Sequence, residues 1–400
     1  MRRLFHWSML SFVLVAILGS LMRYKIGYSL PWLEQKLVQH GHSHFAFGGW
    51  VSQTLWLFIL STIYGEISSE KQKQTKGFLW VHLGLSYGML IGFLAQGYGP
   101  IAIVFSSIYL LWNAFLVVHF WRLLSKFGQR TINDWFRWSM LFQLLSAIGT
   151  LMLIFTMVQK NAAAVQHLYL ASVYWYLHFT YNGWFFFACM GLFSYSLKSL
   201  WNLSAVPRKV FVAFVVSCIP AYGLSILWLQ LPILGYILVV LAALAQVLGF
   251  YWLVENGVKI RVIERVGSKS LSAWFLRFLS IALAIKFSLQ LGSVIPTLSQ
   301  LAFGFRPIVI AYLHLILLSI ISVFLLAFAY WNGWFGTSKS IKMGLIVTLS
   351  LILVNQLFLA FQGATSLSYT LVPGINLALL VIAIGLTLVL TFLLVKIPKG

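Results

Sequence analysis

Twelve nearly unbroken apolar stretches, parted by short polar joints, account for most of the chain. They fall near 5–22, 31–64, 78–97, 100–122, 136–158, 163–197, 209–229, 231–254, 272–294, 306–330, 341–362 and 374–396. Runs of roughly 20 residues suit helices that cross a bilayer, whereas barrel strands are about half that length. Only those two architectures satisfy a backbone surrounded by hydrocarbon. The pattern therefore predicts an all-α polytopic membrane protein, a twelve-transmembrane-helix bundle forming one domain over 1–400. No soluble domain, Pro- or Ser-rich linker or clear internal repeat stands out. The second and sixth runs exceed what a bilayer needs, so they should tilt or protrude. Pro31 suits the first turn of the second helix, a start that puts His40 about nine residues inside it.

Composition agrees with this class: 61% of residues are hydrophobic and 8% charged, against about 25% charged in soluble proteins. Charge changes the picture more. The net charge is +21, from 27 Lys+Arg against 6 Asp+Glu. In a soluble chain that would suggest nucleic acid. Here the charges sit in the joints, the partner they point to is the lipid bilayer, and no nucleic-acid partner is expected. One set of joints holds Arg2/Arg3, Lys71/Lys73/Lys76, Arg122/Lys126/Arg130/Arg137, Lys198/Arg208/Lys209, Lys259/Arg261/Arg265/Lys269, Lys339/Lys342 and Lys396/Lys399. The other set holds only Arg23, Lys25, Lys36, Lys160 and Arg306. The excess of basic residues on cytoplasmic loops then predicts a bacterial-type inner (plasma) membrane protein with both termini cytoplasmic. Residues 1–22 lack an A-x-A cleavage signal and read as a retained first span. Cys189 and Cys218 form no spaced motif, so neither a disulfide nor a metal-thiolate site is expected.

Candidate chemistry centres on QHGHSHFAFGGW, residues 39–50, with His40, His42 and His44 near the start of the second run. Imidazoles are costly in lipid unless something binds them, and neutral imidazole is the commonest metal ligand. The sixth run carries His178 in YLHFTYNGWFFF, and the tenth carries His314 in IAYLHLILLS. Both runs enter from the side that the second does, the sixth through Gln159–Ala164. At 1.5 Å per residue these histidines fall in a slab roughly 10–20 Å below the outer surface. A lone intramembrane histidine often just bonds a neighbouring helix, and that reading suits His6, His82, His119 and His167. Lys286, in ALAIKFSLQ, is well inside the ninth run and calls for an anionic partner. None of the six acids lies mid-membrane, so the anion could be a haem propionate, shared with Arg306, Arg23 and Lys25, or the amine could instead snorkel toward the outer surface.

These residues resemble the large catalytic subunit of the haem-copper oxidase superfamily, which includes cytochrome c oxidase, the cbb-type oxidases and nitric oxide reductases. Twelve spans with both ends cytoplasmic is that family's architecture. QHGHSHFAF matches its His-Gly context for a low-spin haem ligand on the second helix, and FAFGG is similar to the cbb-type second helix. His178 matches the copper-ligating histidine of the sixth helix. His314 matches the low-spin ligand of the tenth, but Tyr312 stands where the high-spin haem ligand should be. The seventh run, KVFVAFVVSCIPAYGLSILW, lacks the family's two adjacent copper histidines, and Asn182 lies four residues after His178 where some members have tyrosine. The resemblance implies one low-spin haem between His314 and His40, His42 or His44, with Lys286 and Arg306 near its propionates. It leaves a copper or second-haem centre incomplete; His42 or His44 with His178 could form a different metal site. Electron transfer, or oxygen or nitric oxide chemistry, would follow, with other respiratory-complex subunits or a cytochrome or quinol donor as partners. No membrane carboxylates are present to relay protons, so a proton pump is not expected.

Two other readings compete. Twelve spans also suit a secondary transporter or a metal or haem carrier, with His40, His42 and His44 as its gate. An assembly subunit with relic ligands is the third.

Overall fold

The computed structural model describes residues 1–125, 127–158 and 162–398. Lys126, Gln159, Lys160, Asn161 and Lys399, which figured in the charge pattern or in the entry to the sixth run, lie outside the described residues. Among the described residues the secondary structure is helical throughout, with no strand. Ten helices among them are long and apolar enough to cross a membrane, and a bent pair makes an eleventh. The chain is thus a helical bundle of the multi-pass membrane type.

Two compact units make up the chain, residues 1–127 with 322–400, and residues 128–321. The first contains α1 (Arg2–Gly27), α2 (Gln35–Phe45), α3 (Gln53–Ile63), α4 (Ser69–Gln96) and α5 (Pro100–Leu124). The second contains α6 (Arg130–Val158), α7 (Ala162–His178), α8 (Phe186–Tyr195), α9 (Arg208–Cys218), α10 (Ile233–Lys259), α11 (Val262–Arg265), α12 (Leu271–Gly292), α13 (Pro296–Gly304) and α14 (Arg306–His314). The first is completed by α15 (Val323–Trp331), α16 (Lys339–Leu367) and α17 (Ile375–Lys396).

Helix ends follow the local sequence. Ser68, Ser270 and Ser338 accept bonds from the backbone N–H of Lys71, Ala273 and Ile341, capping α4, α12 and α16, each worth about 1 kcal/mol. Ser68 starts its helix nine residues before the apolar run that predicted it, because polar residues with a good cap also make helix. Pro100 opens α5, where its missing N–H costs nothing. Pro31 does not open α2. It sits in a turn closed by Leu33 N–H on the Leu30 carbonyl at 3.2 Å, a position proline also favours. The helix begins at Gln35 after an extended Glu34, so His40 lies nearer the helix start than the sequence predicted.

In the first unit the core joins α1, α3, the joint after α15 and α15 itself through aromatics. Phe5 meets Phe58, Trp334 and Phe335, and Phe12 stacks flat on Trp50 at 4.4 Å. In the second unit α6 and α7 touch backbone to backbone at Gly149. A Cβ built there would lie 2.7 Å from the Tyr176 nitrogen and 2.8 Å from the Ser172 oxygen. Small residues permit this approach between membrane helices. Gly149→Ala should therefore lower stability by about 1–3 kcal/mol, the usual cost of overpacking, read as a fall in melting temperature in detergent. An unchanged transition would show that the helices separate freely.

Candidate functional site

The pitch of α2 divides the histidine cluster. His40 and His44 are one turn apart and share a face, whereas His42 projects from the other side. His42 Nδ1 lies 3.0 Å from the carbonyl oxygen of Val15 in α1. Gly19 on α1 makes room for the ring: a Cβ there would come 3.5 Å from His42 Cε1. A carbonyl can only accept, so Nδ1 carries the hydrogen and Nε2 the lone pair. His44 turns toward α4. It stacks on Phe93 with centroids 4.2 Å apart and planes 8° from parallel, and its Nε2 lies 3.1 Å from the Tyr98 hydroxyl. His40 meets the same Tyr98 ring edge to face at 4.6 Å.

His314, in the second unit, repeats the arrangement of His42. Its Nδ1 is 2.8 Å from the carbonyl oxygen of Ile310 one turn earlier, so its Nε2 also carries the lone pair. An Nδ1–H held on a backbone carbonyl is the common preparation of a metal-ligating histidine, because it fixes the tautomer and raises the basicity of Nε2.

His178 is built the opposite way. Its Nε2 lies 2.8 Å from the carbonyl oxygen of Cys218, so that nitrogen carries the hydrogen. Nδ1 accepts from the Asn182 amide at 3.2 Å. Both ring nitrogens of His178, the expected copper ligand, are engaged within the chain in this conformation. The cause is the break in the seventh span. α9 stops at Cys218, and Pro220–Ile226 continues as a tighter helix bent by 48°. Pro220 has no N–H to give, and Tyr222 N–H reaches Ile219, so the Cys218 carbonyl looks outward for a donor and finds His178. Replacing His178 by alanine should orphan that carbonyl and cost about 1–3 kcal/mol, measured as a lowered thermal transition. A transition like that of the parent would mean the bond contributes nothing.

Lys286 is 4% exposed. It donates to Gln290 Oε1 at 2.8 Å and lies over the Phe287 ring at 4.2 Å. This protein partner is an amide one turn along the same helix. Arg306 opens α14. Three other histidines have partners close by: His82 with Gln53 at 2.6 Å, His119 with Thr75 at 2.8 Å, and His167 stacked on Trp228. Cys189 and Cys218 are buried and form no disulfide.

The sequence holds one further signal. His44-Phe-Ala-Phe-Gly-Gly-Trp50 and His178-Phe-Thr-Tyr-Asn-Gly-Trp184 are one motif used twice. In both, a wide helical turn follows, Ala46–Ser52 and Phe179–Phe185, and a third, Leu315–Ser322, follows His314. The three histidines are about a third of the chain apart. Such turns insert an extra residue and frequently occur at functional sites. The expectation of no clear repeat thus misses a motif built on the second, sixth and tenth runs.

Among the described residues no three of His, Cys, Asp or Glu come together as a metal-binding group. His40, His42 and His44 belong to the first unit, and His178, Lys286, Arg306 and His314 to the second. No protein-family model and no curated protein matches the chain.

Proposed function

We propose that this chain is a haem-binding membrane redox protein resembling subunit I of the haem-copper oxidases, holding one bis-His low-spin haem for which His42 and His314 are the candidate ligands. The single observation that carries the reading is the shared preparation of these two rings, each with Nδ1–H on a backbone carbonyl and the lone pair on Nε2. The orientation of the rings supports His42 ahead of its two neighbours, which face Tyr98. A bound haem would supply a one-electron couple whose potential the axial ligands and surrounding dielectric tune. The chain's part is to hold both imidazoles in the ligating tautomer.

A copper centre does not fit the residues present. His178 spends both nitrogens locally, the seventh span has no histidine, and Tyr312 occupies the high-spin position. The proposed role is therefore electron transfer, with a cytochrome or quinol donor and other respiratory subunits as partners. Twelve spans are part of this reading. The ten long helices and the bent pair are joined by the helical run from Ala162 to Leu200. The basic joints support a bacterial-type inner membrane with both termini cytoplasmic as part of the same reading.

The test is optical. Purified full-length protein should show a sharp α band on reduction with dithionite. A colourless preparation from haem-replete cells would rule the reading out. The 48° break at Cys218 favours a second reading, a secondary transporter, since interrupted helices mark transporter sites. Substrate uptake by proteoliposomes lacking haem would establish it.

A further inference from the structure

We infer that His40, His44 and Tyr98 form a site for one divalent transition-metal ion of the Cu(II) or Zn(II) class. The site lies within the first unit, where the Gln35 end of α2 meets the joint between α4 and α5. It is separate from the proposed haem ligand, which projects from the other side of α2.

The helix supplies the first two ligands. Residues four apart on a helix have Cβ atoms about 5–6 Å apart on one face. Two imidazoles at that spacing can close on one ion with metal–nitrogen distances of about 2.0–2.1 Å. The same spacing serves the paired histidines of helical zinc sites. Among the described residues no third His, Cys, Asp or Glu joins them. The third donor is the Tyr98 oxygen, already 3.1 Å from His44 Nε2.

Tyr98 is set there by its joint. Gly97 adopts φ +60, a left-handed conformation that glycine takes without steric cost, and its N–H returns to the Phe93 carbonyl at 3.0 Å. On the other side of Tyr98, a Cβ at Gly99 would strike Gln96 at 2.2 Å. The buried Phe93 ring lies flat under His44 and edge-on to Tyr98, with centroids 5.2 Å apart. It fixes two of the three ligands against each other. His40 is half-buried and Tyr98 exposed, which leaves an entry path. Lys36, one turn before His40, and Glu34 are the charged residues closest along α2.

Binding balances simply. One proton lies between His44 Nε2 and the Tyr98 oxygen. The ion takes its place, coordinated by the Nε2 lone pair, the phenolate oxygen and His40, and the proton leaves to water. Imidazole with a hard oxygen donor suits Cu(II) or Zn(II), and Cu(II) binds such sets most tightly.

The experiment uses full-length protein in detergent, stripped with a chelator and titrated with Cu(II). One ion per chain should bind, with nitrogen hyperfine splitting in its electron paramagnetic resonance spectrum. His40→Ala and His44→Ala should each weaken binding at least ten-fold, and Tyr98→Phe about ten-fold. His167→Ala, a control histidine, should not change it. The double variant His40→Ala/His44→Ala should lose the ion while keeping any haem spectrum, so failure here is distinguishable from failure of the haem reading. A double variant with the parent's thermal transition that still bound Cu(II) at parental affinity would overturn the site. So would a bound ion without nitrogen splitting.

Discussion

Alanine at position 314 should abolish the low-spin haem spectrum, and His42→Ala should do the same, while His40→Ala and His44→Ala leave it in place. The four variants differ by one property of the parent rings. His42 and His314 hold Nδ1–H on the carbonyls of Val15 and Ile310, so the lone pair lies on Nε2, the atom that would bind iron in the proposed function. His44 directs its Nε2 at Tyr98. Loss of either proposed ligand would leave the haem weakly held or absent, and either outcome would remove the sharp reduced α band. Added imidazole should restore the band in His314→Ala if the cavity persists. Equal low-spin haem in His314→Ala and the parent would sink the assignment, and loss in His44→Ala with retention in His42→Ala would move the ligand by two residues. The carbonyl offers a gentler check. Gly19→Leu, which crowds the ring from α1, should shift the reduction potential or lower haem occupancy without removing a ligand.

Much of this arrangement is legible in the sequence. The apolar runs locate the helices because lipid demands length and internal bonding. The histidines on the second, sixth and tenth runs also stand out as costly groups. The cluster at 40–44 reads from the sequence as three candidates for one ligand position. A pitch of 3.6 residues sends His42 away from His40 and His44, a division that the spacing alone dictates. The repeated His-Phe-x-aromatic-x-Gly-Trp motif is equally open to view. Other features are hidden for a physical reason. The acceptors that decide each tautomer are backbone carbonyls of Val15, Ile310 and Cys218, and no side-chain pattern marks them. Only the last leaves a trace, since Pro220 removes an N–H and frees backbone acceptors nearby. Pro31 misleads because proline suits a turn as well as a helix start.

Lys286 should behave as a buried polar group held by its own helix, which gives it an unusual pattern of substitutions. Its amine, 4% exposed, has Gln290 at 2.8 Å and the faces of Phe287 and Phe186. Gln290→Leu removes that hydrogen-bond acceptor and leaves a donor group in an apolar setting. It should cost about 1–3 kcal/mol, more if the amine stays charged. Lys286→Met keeps the stem and discards the polar head, so it should leave stability unchanged or raise it. The double variant Lys286→Met/Gln290→Leu should recover most of what Gln290→Leu loses, because replacing both partners of a buried bond by apolar groups is nearly neutral. A double-mutant cycle on the thermal transition then yields a favourable coupling between the two residues. The alternative, in which a bound anion such as a haem propionate neutralises Lys286, inverts the order. Lys286→Met would then be the damaging change and would lower cofactor retention, Gln290→Leu would be mild, and the local bond seen in α12 would be a resting contact that the ligand replaces.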